Sequence, residues 1–97
     1  IIMADRAMEL GLVNQVVPTN QLESETMALA SELADGPQVS MRLLKKSILN
    51  AAELSWEHAL DEIASKTAIS DHHSDAKEGV AAFHDKREAK FNDWLES

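Results

Sequence analysis

The chain has 97 residues, no cysteine, and 17 acidic against 9 basic side chains, for a formal charge of −8. That length bounds it to one small domain, and the missing cysteines exclude a disulfide framework and a thiolate metal site. The acidic balance argues against nucleic acid or an anionic membrane as main partner, and no apolar run approaches the roughly 20 residues that cross a bilayer.

Ile1-Ile2-Met3 opens the chain without an initiator methionine and is read as the cut edge of something longer. Ala4 to Leu10 are good helix formers stopped by Gly11, so a short helix is expected there. Leu12 to Val17, rich in β-branched residues and closed by Pro18, favours a short strand or extended edge whose pairing partner lies upstream. Thr19-Asn20 stand at capping distance before Glu23, and Leu22, Thr26, Leu29 and Leu33 recur at helical spacing until Gly36-Pro37.

Pro37 suits the first turn of a further helix, with Met41, Leu44, Ile48 and Ala51-Ala52 on one side and Arg42, Lys45 and Lys46 around it. Leu54 to about Ile69 repeats the pattern with Trp56, Leu60, Ile63 and Thr67, and Ser70 to Ser74 reads as a polar joint. Asp75 precedes Glu78 at capping-box spacing, so a last helix is expected to begin at Asp75. It carries an apolar stripe, Ala76, Val80 and Phe83, that meets a basic group, Lys86, Arg87 and Lys90. Residues three apart are neighbours on a helix surface, so the Phe83 ring and the Lys86 ammonium can touch one ligand. The plainer account is a packing helix with a solvated basic end. Sustained helical periodicity with one short extended segment near Leu12–Val17 makes this an all-α chain.

Other constellations carry less chemistry. Asp71-His72-His73-Ser74-Asp75 holds zinc-type ligands, but neighbouring side chains diverge on a helix and no H-x-x-x-H spacing is present, so a solvated loop is the better account. His58 and His84 have no matching nucleophile or orienting partner. Glu53, Glu57, Asp61 and Glu62 alternate with an apolar stripe as solvent-facing charges do, and Glu62 is expected to be structural. Trp56 and Trp94 are anchors, with Trp94 expected at an interface.

Several segments resemble one family in order and spacing. Ala7-Met8-Glu9-Leu10-Gly11-Leu12-Val13-Asn14-Gln15-Val16-Val17-Pro18 is similar to the "A-x-x-x-G-L-V-x-x-V-V-P" segment of the enoyl-CoA hydratase/isomerase, or crotonase, family. Lys46 with Asn50-Ala51-Ala52, Glu62, and the run Ser74-Asp75, Glu78-Gly79, Ala82-Phe83, Lys86-Arg87 and Phe91 also resemble it. The residues after Phe91, Asn92 to Ser97, depart from the pattern.

The resemblance implies that residues 1–97 are the C-terminal helical, trimer-forming region of the crotonase fold, following a spiral catalytic domain that is not in this sequence. It implies an enzyme acting on acyl-CoA thioesters, in which Phe83 and Lys86 contact the nucleotide end of coenzyme A held by a neighbouring subunit. Coenzyme A is then part of the substrate, no separate cofactor or metal is expected, and the partners are sister subunits and acyl-CoA. The implied compartment is the cytoplasm, or the mitochondrial matrix in a eukaryote. The oxyanion donors and catalytic glutamates belong to the spiral domain in that family, so no catalytic residue is expected here. With three glycines in all, the chain has no glycine-rich loop to approach an oxyanion. The alternative is a stand-alone acidic helical module that binds a partner protein.

Overall fold

The computed structural model describes residues 1–96, and among them there are five α-helices and no strand. They are α1 (Ala4–Glu9), α2 (Leu22–Asp35), α3 (Gln38–Ala51), α4 (Trp56–His72) and α5 (Ser74–Asp85), with 3-10 turns at Thr19–Gln21 and Asp93–Leu95. Two compact units divide the chain, Ile1–Leu33 and Ala34–Ser97.

In the first unit, α1 stops where glycine allows it to. Gly11 takes φ +72, its amide donates to the Met8 carbonyl, and the Leu12 amide donates to Ala7. Those two bonds satisfy carbonyls that the helix leaves open, and only a residue without Cβ adopts that turn unstrained. Leu12–Val17 then forms no helix and no ladder among the described residues. The expected cap of α2 is replaced: the 3-10 turn Thr19–Gln21 leads straight into the helix, and neither Thr19 nor Asn20 caps it by its side chain. Leu22, Leu29 and Leu33 of the apolar stripe remain exposed.

In the second unit α3 packs on α4, and α4 on α5. Polar ties cross the α3–α4 seam. Glu62 accepts from Ser47 Oγ at 2.9 Å and from Asn50 Nδ2 at 2.8 Å, and it pairs with Lys66 one turn on. Ser40 and Ser70 share a hydrogen bond of 2.6 Å. Lys66 and the two α3 donors hold the Glu62 carboxyl below its ordinary range. Glu62 is therefore the tie between two helices, the structural role expected of it. Ser55 caps α4, its Oγ accepting from the His58 amide.

The joint between α4 and α5 is one residue, shorter than the expected Ser70–Ser74. His73 has extended backbone, φ −75 and ψ 152, and serves as the C-cap of α4 and the N-cap of α5. Its Nδ1 accepts from the Asp75 amide at 3.3 Å. This corrects the expected capping box: the cap lies two residues earlier, and Asp75 and Glu78 are released for other work.

Candidate functional site

The site expected at the end of α5 is built by the way that helix stops. Lys86 adopts the left-handed conformation, φ 54 and ψ 42. Its amide points back to the Ala82 and Phe83 carbonyls, and the Arg87 amide reaches Ala82 at 3.1 Å. This is the turn that glycine makes at the end of α1, here made by a lysine, at a cost of about 1–2 kcal/mol for a residue carrying Cβ. The Lys86 side chain is exposed, and its ammonium forms no ion pair among the described residues.

Phe83 is 82% exposed and meets His84 edge-on with centroids 6.1 Å apart. The expected stripe Ala76, Val80, Phe83 is thus not the packing face of α5. The side that packs carries Asp75 and Ala82, with the Phe91 ring over Gly79, 3.5 Å from where a Cβ would stand. Phe83 and Lys86 are both left facing solvent at the end of one helix.

Arg87 is already committed. It grips Glu78 with two parallel bonds, Nη1 to Oε1 at 2.6 Å and Nη2 to Oε2 at 2.9 Å, and the Lys90 amide donates to Oε1 at 2.8 Å. The Arg87 guanidinium and then the Lys90 amide hold the Glu78 carboxyl down to about 2, and Glu78 in turn raises Arg87 further above its ordinary value. Of the three expected cations, Arg87 is spent on folding the segment after α5 back along the helix.

This clasp fixes a pH response. The carboxyl's ordinary value is 4.5, so above that pH it is ionised in both folded and unfolded chains and the clasp stabilises fully. Between 4.5 and about 2 the unfolded chain binds the proton first, so the contribution falls, and it is gone below about 2. A carbon-detected titration should place the Glu78 midpoint near that lower value. A midpoint at the ordinary value would mean that the clasp is not formed.

A second arrangement was not foreseen. Asp75, 4% exposed, accepts from the Asn92 amide at 2.9 Å and from Trp94 Nε1 at 3.4 Å. Trp94 also stands edge-on to His73, centroids 5.3 Å apart. Trp94 therefore clamps the start of α5 within the chain while remaining 36% exposed. Asn92, in left-handed backbone at φ 68, donates from Nδ2 to the Gly36 carbonyl at 2.9 Å and accepts the Gln38 amide at 3.1 Å. The signal available was residue type: asparagine tolerates positive φ better than any other residue with a long-enough polar arm.

The remaining candidates are dispersed. His72 Nδ1 lies 2.8 Å from the Ala68 carbonyl and His73 caps α5, so the two imidazoles serve different ends. Among the described residues no three histidine, cysteine or carboxylate side chains are grouped to hold a metal ion, and no helix is long and apolar enough to cross a membrane.

Comparison with known proteins places the chain in one group. The enoyl-CoA hydratase/isomerase family model matches residues 1–94. A crotonyl-CoA hydratase of Syntrophomonas wolfei is 32% identical over 91 residues, 94% of this chain and 35% of that protein. The structure of an enoyl-CoA hydratase from Polaromonas sp. JS666 superposes with a TM-score of 0.87 at 30% identity, covering 94% of this chain and 35% of that one. An enoyl-CoA hydratase subunit from Geobacillus kaustophilus gives a TM-score of 0.83 at 35% identity, covering 92% and 35%. The chain spans 35–36% of the length of the curated relatives it matches.

Proposed function

The chain belongs to the enoyl-CoA hydratase/isomerase family, and from that premise we propose that residues 1–97 are the helical C-terminal region of an acyl-CoA enzyme. In this reading a spiral catalytic domain precedes the chain, sister subunits cover its exposed helix faces as a trimer-based oligomer, and α5 contacts the coenzyme A moiety of a thioester bound in a neighbouring subunit. Family membership removes the ground for an unrelated interaction module.

One observation supports the ligand contact above the rest: Phe83 and Lys86 stand exposed at the end of one helix, and a lysine keeps a backbone position that glycine fills without strain. An aromatic ring can lie against adenine, and an ammonium is a strong point partner for phosphate. With Arg87 tied to Glu78, Lys86 supplies the mobile charge. The reaction itself, water addition to an enoyl thioester or movement of its double bond, needs donors on the enolate oxygen and carboxylates beside the reacting carbons. No residue of this chain takes those roles in the proposal; its part is to bind.

The test is made in the full-length enzyme. Phe83→Ala or Lys86→Ala should raise KM for an enoyl-CoA about two- to thirtyfold with kcat nearly unchanged, since the contact lies far from the reacting carbons and is uniform binding. The Lys86 effect should shrink at high salt. A thioester ending at pantetheine has neither adenine nor 3′-phosphate and should not distinguish the variants from the parent. Equal losses on both substrates would end the nucleotide reading.

A further inference from the structure

We infer that Asn92 is a positioning residue for the nucleotide-contacting end of α5, a reading that rests on the proposed role of Phe83 and Lys86. Helix α5 is joined to α4 through the single residue His73, and α4 is its main helical neighbour. A one-residue junction leaves a hinge unless something spans it. Asn92 braces it indirectly, tying α5 to the start of α3, on which α4 packs, with three hydrogen bonds. Its amide donates to buried Asp75 in the first turn of α5, while its side chain accepts the Gln38 amide and donates to the Gly36 carbonyl at the start of α3.

The Gln38 amide depends on its bond most, since the Gly36 carbonyl also accepts from Gln38 Nε2 at 3.1 Å and Asp75 also accepts from Trp94. Gln38 is the first residue of α3, so its N–H has no partner within the helix, and Pro37 before it has no side-chain acceptor. Asn92 Oδ1 caps α3 from 54 residues away. The Phe91 ring, against Gly79, lays the same segment along the middle of α5. The beginnings of α3 and α5 are therefore bolted together by one residue, its amide holding α5 and its side chain holding α3, and the direction of α5 away from that bolt is set with it.

The lever is long. Twelve helical residues extend about 18 Å at 1.5 Å each, so a rotation of roughly 10° at His73 would displace the far end by about 3 Å. A displacement of that size separates a ring from adenine and an ammonium from phosphate, while leaving remote chemistry intact.

Asn92→Gly is the decisive variant, because glycine keeps the left-handed backbone at no cost and removes only the side-chain bridge. In the full-length enzyme it should raise KM for the CoA thioester about two- to tenfold, the range that one or two lost hydrogen bonds give, with kcat retained and no change on the pantetheine thioester. Asn92→Asp keeps the acceptor for Gln38 but not the donor to Gly36, and should fall between the two should Asn92→Gly prove insoluble. Loss shared equally by both substrates, or no loss on either, would overturn the inference by making Asn92 a stability residue or an idle one. If Phe83→Ala and Lys86→Ala discriminate between the substrates and the Asn92 variants do not, the positioning role fails and the nucleotide reading stands. If none of them discriminates, both fall.

Discussion

Produced by itself, the 97-residue chain is expected to self-associate and to show no hydration or isomerisation of an enoyl-CoA. Among the described residues the only buried apolar side chains are Ala59 and Ala82. On α3, Leu44, Ile48 and Leu49 are 62%, 65% and 64% exposed, and Met41, Leu44, Ile48 and Ile63 line an open groove of about 490 Å³ between α3 and α4. Covering one such side chain is worth about 1.5–3 kcal/mol, and a surface with this many adjacent ones is not left in water. Light scattering should report oligomers or a broad distribution, with binding of an apolar dye. A clean monomer that binds no dye, or turnover above a blank by the purified chain, would refute the respective halves of this expectation.

Asp75→Ala is expected to be the most damaging single change in the second unit. The carboxylate lies at the first turn of α5, 4% exposed, and answers two donors from the returning segment, the Asn92 amide and the Trp94 indole. Alanine would take this carboxylate away from both, at about 2–3 kcal/mol, the range for hydrogen bonds to a charged group with one of the two long. Native-state hydrogen exchange should show the Asn92 amide losing roughly 30- to 150-fold of its protection, while amides in the middle of α3 and α4 change little. Trp94 fluorescence should shift to the red as the indole leaves His73. Protection at Asn92 that survives the substitution would mean that the tail is held by something other than Asp75.

The helices were legible because their signals are local. Gly11 at positive φ and the Gly36-Pro37 break each act within a few residues, and the structure puts helix ends beside both, whereas the Ser55 cap starts α4 two residues later than the expected Leu54. Resemblance carried the fold further than periodicity could, since Ala7–Pro18 and the Glu78–Phe91 run have no distinctive physics taken singly. What could not be read was which face of a helix is covered. Ala76, Val80 and Phe83 make a proper apolar stripe, yet Val80 and Phe83 point to solvent and the helix packs through Asp75, Gly79 and Ala82. A stripe states that a face can be buried and leaves open what buries it. The Asp75–Glu78 spacing misled for a related reason: both carboxylates found partners more than eight residues downstream, at Arg87, Lys90, Asn92 and Trp94, where no local pattern reports them.

The bond between Gln38 and Asn92 also orders events in time. It closes a loop between residues 54 apart, whereas the Glu62 bonds to Ser47 and Asn50 join residues 15 and 12 apart. Closing the longer loop from an open chain costs about 1 kcal/mol more, so the α3–α4 pair forms before the bolt can be set. Interactions made late leave the folding rate nearly untouched and act on the escape rate. The contacts of Asn92 are thus expected to be the last of this unit to settle and the first to work loose, while the far end of α5 keeps its own local clasp between Glu78 and Arg87.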